Sequence, residues 1–322
     1  MMRKTILLPV IVWLAMGLTA WGATKDSKFP TKPITVVVGY EAGSSSDQMA
    51  REIFKNTEKL LGKPSIIINK PGASSAIMLG ELRRARPDGY TIGYSSSVHV
   101  LKVQGLFEYD HKDFDTLGIL SVSWSALCVP ADSKFKKVED LVAEAKAKPG
   151  QLKFSTTSRG AAQWIVAKCF ERAIGAKFNV LENPGGAAMV ATQLAGGHVD
   201  CGFAGYKAVQ SQVDGGKVRV LAMTAGQRAQ GYPNIPTLKE RGVDLEMLTW
   251  SVFVAPKGLP RDVKDRLLKY LRDVGTTPEW AKWCASKGSI PTPDYLGDKC
   301  VEVMDKEAQL QAPVLLEIKG SK

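Results

Sequence analysis

Hydrophobic and polar positions along this chain switch repeatedly between two periods. Short apolar runs, many rich in β-branched residues, predict strands at Ile34–Val38, Ser65–Ile68, Thr91–Tyr94, Ile119–Pro130, Leu152–Ser155, Asn179–Leu181, Val199–Phe203, Val218–Met223 and Trp250–Ala255. Amphipathic stretches between them predict helices, among them Gln48–Leu61, Val138–Lys146 and Ala162–Ile174. Towards the end, Val263, Leu267, Leu268, Leu271 and Val274 fall on one face of a packing helix over Asp262–Val274. Strands alternating with helices in this way predict α/β domains with largely parallel sheets.

The pattern echoes itself. A shift of 113 residues aligns Gly62 with Gly175, Pro71 with Pro184, Gly72 with Gly185, Gly89 with Gly202 and Tyr90 with Phe203. A helix, a Gly, a strand, a Pro-Gly turn, a helix and a strand thus recur in one order, which predicts two similar lobes. In each, a strand breaks into a hydroxyl-rich loop that opens on a helix. The first loop is Tyr40-Glu-Ala-Gly-Ser-Ser-Ser-Asp47, with Glu41, Gly43, Ser44, Ser45 and Ser46 inside it. The second follows Leu152-Lys-Phe and runs through Ser155, Thr156, Thr157, Arg159 and Gly160 to Ala162. Such loops offer N–H groups and hydroxyls to an anion, and in open α/β sheets ligands sit outside the carboxyl ends of the strands. Two of them facing one another would make a cleft with anion-binding loops on both walls.

The chain ends and the composition narrow the setting. Arg3 and Lys4, an apolar run of about 15 residues and the small residues Ala20 and Gly22 read as an export signal, residues 1–22, cleaved after Gly22. That run falls short of the roughly 20 residues a membrane span needs. About 300 residues remain, enough for two domains. Loss of Arg3 and Lys4 takes 43 basic residues to 41 against 32 acidic ones, and the charge from +11 to +9. That suits an anionic ligand; with no dense basic run interleaved with aromatics, nucleic acid is a poor partner. Five scattered Cys do not make a disulfide scaffold, and either a Cys284–Cys300 bridge or buried free thiols fits them.

Read together, Pro33-Ile-Thr-Val-Val-Val, Asp47-Gln-Met-Ala-Arg51, Asn69-Lys-Pro-Gly-Ala73, Pro87-Asp-Gly-Tyr-Thr91, Gly196-Gly-His-Val-Asp200, Gly216 to Thr224, Pro233-Asn-Ile-Pro-Thr237 and Trp250 to Pro256 resemble the periplasmic substrate-binding proteins of tripartite tricarboxylate transporters, the TctC or Bug family. The resemblance covers nearly all of the mature chain. It implies a type II periplasmic-binding-protein fold, two α/β lobes around a ligand cleft, with lobe 1 at 27–127 plus 250–322 and lobe 2 at 128–249. It also implies a monomeric receptor that needs no cofactor, closes on a mono-, di- or tricarboxylate and delivers it to membrane transporter subunits. Carried over by position, loop one is Tyr40 to Asp47, loop two is Ser155 to Gln163, and Ser95, Ser96 and Ser97 form a further wall.

The sequence departs from the family pattern at three places. Ser44 replaces a second glycine and narrows the backbone freedom expected there. Glu41 puts a carboxylate where an acidic ligand would be repelled. In the second lobe Val180-Leu-Glu-Asn-Pro-Gly185 lacks the Tyr and Lys usual beside the cleft, leaving Asn183 and Gly185 as candidate contacts. Among the other candidates, Arg159 is the one strong cation in either loop and could grip a carboxylate bidentately. Asp47 is expected to cap the helix after loop one, or to meet an ammonium. Tyr40 and Phe203, at strand ends, are candidates for an apolar ligand body, whereas Trp164 and Trp250 read as core.

Catalytic signals are weak. Ser95–Ser97 lacks the closing Gly of a nucleophile elbow, and His99, His111 and His198 are far apart, with no zinc spacing, and read as surface or satisfied interior residues. A same-fold extracytoplasmic sensor and, less well supported, an exported serine hydrolase remain the alternatives.

Overall fold

The computed structural model describes residues 29–159, 161–183, 186–229 and 232–320, with side chains to 317. The predicted signal segment, with its cleavage point at Gly22, lies outside them, as do Gly160 and Gly185. In chain order the elements of the first half are β1 (Ile34–Val38), α1 (Ser45–Phe54), α2 (Thr57–Leu61), β2 (Ser65–Asn69), α3 (Ala76–Arg84), β3 (Thr91–Ser95), α4 (Leu101–Gln104), β4 (Phe114–Gly118), β5 (Ser121–Pro130) and α5 (Val138–Ala147). There follow β6 (Lys153–Thr157), α6 (Ala162–Ile174), β7 (Asn179–Asn183), α7 (Gly186–Ala195), β8 (Cys201–Gly205), α8 (Tyr206–Asp214), β9 (Val218–Met223) and β10 (Leu248–Trp250). The chain closes with β11 (Val252–Pro256), α9 (Arg261–Gly275), α10 (Pro278–Lys287), β12 (Ile290–Pro291) and α11 (Asp298–Gly320).

Two sheets result. The first has the order β2-β1-β3-β11-β4; in the second, β10-β5-β8-β6-β7 form the path, with β9 and β12 also paired to β5. The internal echo reappears as topology: β2-β1-β3 and β7-β6-β8 are each three parallel strands with the earliest in the middle. Neither sheet is largely parallel, however. β11 joins the first antiparallel to both neighbours, and β5 is antiparallel to all its partners in the second. These inserted strands come from distant parts of the chain, which local periodicity does not register. β4 also escaped the pattern because Asp115 and Thr116 interrupt its apolar run. Both are buried, and Asp115 accepts from Gly258 N and Leu259 N at 2.8 Å and from Lys264 Nζ at 3.2 Å.

Each sheet is buried on both faces, which is why β1 is a continuous Ile-Thr-Val-Val-Val run. Phe54, Tyr94 and Phe253 pack with Tyr270 of α9 on one face of the first sheet, and Met78, Leu79 and Val254 pack on the other. In the second sheet Phe154, Phe170 and Phe203 fill one face, and Val190, Leu194 and Val209 the other. The predicted helix over Gln48–Leu61 is two helices, because α1 ends at Phe54 and α2 starts at Thr57. All five Cys are buried free thiols, which removes the Cys284–Cys300 bridge.

The chain crosses between the sheets from β4 to β5 through Ile119 and Leu120, and from β10 to β11 through Ser251 alone. The first crossing is held from behind. Trp280 Nε1 donates to Leu120 O at 3.0 Å, and Thr292 Oγ1 donates to Ile119 O at 2.7 Å. α11 then spans both bodies: Cys300 and Met304 join the core beside β11, and Val314 and Leu315 join that beneath α6.

Candidate functional site

Two adjoining cavities lie where the strands cross. The larger, about 340 Å³, is walled by Ser45 and Ser46 of α1, Ser121 and Ser123 of β5, Ser251 of the crossing, and Trp283, Lys287 and Ser289 at the end of α10. The smaller, about 230 Å³, is lined by Tyr40 and Ser97 from one side, Ala161, Ala162 and Ile165 at the start of α6 from the other, and Gln311 of α11. Ser96, Thr249 and Trp250 line both.

Loop one is organised by Asp47, but not as a cap. Ser44 is the N-cap of α1 and its hydroxyl accepts from Asp47 N at 3.2 Å. The buried Asp47 carboxylate reaches back to accept from Gly43 N at 2.9 Å, from Asn69 Nδ2 at 2.9 Å and from Arg51 Nε at 3.0 Å. The Arg51 hydrogen bond leads in drawing its pKa down to about 2, against burial, with Gly43 and Asn69 adding to the pull. Gly43, at φ +81°, takes the one left-handed position in the loop, so Ser44 at φ −62° needs no glycine freedom. With the loop held in this way, Ser45 and Ser46 face the larger cavity. Glu41 is exposed and lines neither cavity.

The wall after β3 is set by alternation. Ser95 points inward, fully buried, its hydroxyl 2.6 Å from that of Ser75, and it accepts from Ser97 N at 3.1 Å. Ser96, one residue on, faces the cleft and is tied to the Tyr40 hydroxyl, which also accepts from Ser96 N at 3.1 Å. Beside this wall, Ala73, Ser74 and Ser75 occupy three successive left-handed positions, φ +45°, +54° and +79°, and Ser74 lines the smaller cavity. Non-glycine residues held there store strain, and such strain clusters at functional sites.

In the second loop the candidates separate. α6 begins at an N-cap, Ala161, that supplies no side-chain hydrogen bond, and Ala161, Ala162, Ile165 and Val166 at this end of the helix line the smaller cavity. Arg159 instead pairs with Glu182, Nε to Oε1 at 2.9 Å, and Trp164 Nε1 donates to that same oxygen at 3.1 Å. Neither Arg159 nor Gln163 lines either of these two cavities. Ser155, Thr156, Thr157 and Asn183 are buried behind the helix start. Asn183 Nδ2 donates to Ser155 Oγ at 3.0 Å and to Thr156 O at 2.8 Å, while Gln193 Nε2 donates to Asn183 Oδ1 at 2.9 Å. Phe203 lies in the aromatic core, 5.5 Å from Phe154 and 5.6 Å from Phe170 between ring centroids, away from both cavities.

Several lining residues carry no local sequence signal because distant elements bring them in. Among the described residues Lys287 is the one charged residue lining either cavity; its Nζ donates to Gln48 Oε1 at 2.9 Å and lies 5.6 Å from the Trp283 ring centroid. Gln48 Nε2 in turn donates to Gly43 O at 2.8 Å, linking α10 to loop one. His99, read from sequence as surface or satisfied interior, is buried against Trp250 with neither ring nitrogen partnered. No cluster of metal-ligating side chains occurs among the described residues.

Two α/β bodies joined by crossing strands, with a cleft lined by hydroxyls and a helix N-terminus, define a two-lobed solute-binding protein. Residues 49–296 match the family described as "Tripartite tricarboxylate transporter family receptor", and the chain belongs to that family of periplasmic binding proteins. It is 32% identical over 256 residues to the Cupriavidus necator "UPF0065 protein in gbd 5'region", covering 79% of this chain and 78% of that one. Protein BugT of Bordetella pertussis is 28% identical over 304 residues, 91% and 92% of the two chains. Among solved structures, a TctC solute binding protein from Polaromonas with no ligand superposes with a TM-score of 0.82 at 28% identity, over 90% of this chain and 99% of that one. MatC of Rhodopseudomonas palustris, with bound malate, shares the fold at a TM-score of 0.67 and 20% identity, over 89% and 100%. Among the described residues no helix is long and apolar enough to cross a membrane.

Proposed function

We propose that this protein captures a small organic carboxylate by closing its two lobes and presents it to the membrane subunits of a tripartite tricarboxylate-type transporter, acting as an exported monomer freed of residues 1–22. One observation carries the reading. The uncapped start of α6, from the second sheet, faces Tyr40, Ser96 and Ser97, from the first, across one cavity. A helix N-terminus favours an anion, and neutral hydroxyls complete its hydrogen bonds without a buried cation. The malate bound to MatC and the adipate bound to another R. palustris relative agree with that chemistry.

Closure follows if the anion touches both walls, because a ligand shifts an equilibrium only by its differential affinity for the two states. The lobes would be 27–127 plus 250–322 and 128–249, turning about the crossings at Ile119–Leu120 and Ser251. A micromolar ligand corresponds to about 8 kcal/mol, within reach of several neutral hydrogen bonds and desolvated contacts.

The test is calorimetric titration and thermal shift of residues 23–322 with a broad carboxylate panel. At least one acid should raise the melting temperature in proportion to the logarithm of its concentration. Ser96→Ala with Ser97→Ala should weaken that acid about 5- to 100-fold, the loss of two hydrogen bonds from the wall facing α6. Arg159→Ala, which breaks only the pair with Glu182, should leave its affinity within about twofold, the small effect of an exposed ion pair. A panel without a single binder would sink the carboxylate reading.

A further inference from the structure

A buried acid at the boundary of the two bodies stands without a counter-charge. Glu307 lies on α11 between Cys300 and Met304, which pack beside β11, and Val314 and Leu315, which pack beneath α6. It is 4% exposed, and among the described residues its oxygens accept from two neutral donors, Leu248 N of β10 at 2.9 Å and Gln311 Nε2 at 2.8 Å. Lys306 turns instead to Glu246 Oε2 at 2.9 Å, the oxygen to which Lys239 also donates. On the elements packed against α11 the charges are engaged elsewhere. Arg172 of α6 meets Glu317, Lys102 of α4 meets Asp110, and His111 and Lys112 both meet Asp305. Asp113 accepts from Asp110 N, Asp115 of β4 is held by Lys264, and burial pushes the Cys169 thiol of α6 up to about 12. A buried carboxylate with no cation against it favours its protonated form, and burial places its pKa at about 7, with Glu246 adding to the rise.

Gln311 connects this acid to the cleft, because its side chain also lines the smaller cavity beside the start of α6. Nine described side-chain N or O atoms are buried without a partner, and Gln311 Oε1 is not one of them, so this oxygen keeps an open side. With Nε2 bonded to Glu307, the carbonyl end of the amide is the end left for the cavity, where it repels an anion. A protonated Glu307 reverses this. Its O–H donates to Gln311 Oε1, the amide turns over, and Nε2 offers its N–H groups to the cavity instead. Coulomb repulsion acts in the same direction, since an anion in the cavity and a charged Glu307 disfavour one another.

We propose that Glu307 is a proton-binding site coupled through Gln311 to the cleft, so that this protein captures its anion together with a proton drawn from solvent and releases the two together. This rests on the carboxylate reading above and adds a second, much smaller ligand to it. Coupling is reciprocal: a proton that improves the affinity for the anion is itself held more tightly once the anion is bound. Affinity is therefore highest and level below the free-state pKa of Glu307, falls as pH climbs from that value to the higher bound-state one, and levels again above it.

The experiment is titration calorimetry of residues 23–322 with malate, succinate, adipate and benzoate in phosphate and in Tris, whose different ionisation enthalpies make the heat report protons taken up. For an acid that binds, a tenfold coupling predicts uptake of about half a proton at pH 7.5 and an affinity about fivefold or more higher at pH 6.5 than at pH 8.5. Glu307→Gln, which cannot ionise, should abolish the uptake and hold the affinity near the wild-type pH 6.5 value across the range. Gln311→Met keeps the acid but removes the turning amide; it should reduce the pH dependence below threefold and gives an independent readout should Glu307→Gln fail to fold. Binding without proton uptake in the wild type, or a pH dependence that persists unchanged in the folded variants, overturns this proposal and leaves the carboxylate reading standing. Absence of binding by every acid overturns both.

Discussion

Asp47 illustrates what one residue does for the cleft. The sequence marks it as a cap; in the fold Ser44 caps and Asp47 ties Gly43, Asn69 and Arg51 together behind the serines. Its pKa is lowered from 3.8 to about 2, so its stabilisation is fully present above the unfolded value and disappears as pH falls through the folded one. Asp47→Asn should therefore cost about 1–2 kcal/mol at pH 7, allowing for partial screening, with the gap to wild type closing between roughly pH 4 and pH 2. Denaturant melts across that range check it; a constant gap would place the effect in packing instead. Loop one was legible because small hydroxyl residues between a strand and a helix are a local pattern. Which serine faces the cleft was not, since side chains alternate along a strand and one residue of register exchanges Ser95 for Ser96. His99 was illegible for another reason: lacking a partner is a property of three-dimensional surroundings.

At the level of elements, the loops and the βαβ units follow from periodicity, but the C-terminal helices contribute what periodicity cannot supply. α9 is visible as an amphipathic stripe, whereas the part played by α10 depends on Lys287 reaching Gln48, some 239 positions away in the chain. α11 spans both bodies and carries a buried acid, Glu307, that accepts from Leu248 N of β10 at 2.9 Å and from Gln311 Nε2 at 2.8 Å. Burial raises its pKa from 4.5 to about 7, outweighing the opposing pull of Leu248 N and Gln311. For an acid raised in the folded state the sign is opposite to that of Asp47. The native protein holds the extra proton between the two values, so stability falls as pH climbs from about 4.5 to about 7. Glu307→Gln, which cannot ionise, should flatten this slope, worth on the order of 2 kcal/mol across the window. Chemical denaturation at pH 5 and pH 8 compares the two proteins, and an unchanged slope in the variant would assign the pH dependence to other groups.

For the molecule as a whole, the order β2-β1-β3-β11-β4 has a consequence for how it comes into being. β3 and β4 are neighbours in sequence but not in the sheet; the strand between them, β11, follows more than 130 residues after β4 has been made. Contacts so distant along the chain are entropically slow to form. A chain ending at Trp250 should accordingly leave the first sheet open, with the amides of Val36 and Ile92 exchanging with deuterium far faster than in the intact protein. Native-like protection of those amides in the fragment would refute this. The sheet that opens the polypeptide thus stays in two unjoined pieces, β2-β1-β3 and β4, until residues 252–256 bridge them, which makes the integrity of the first body depend on a segment from the far end of the chain.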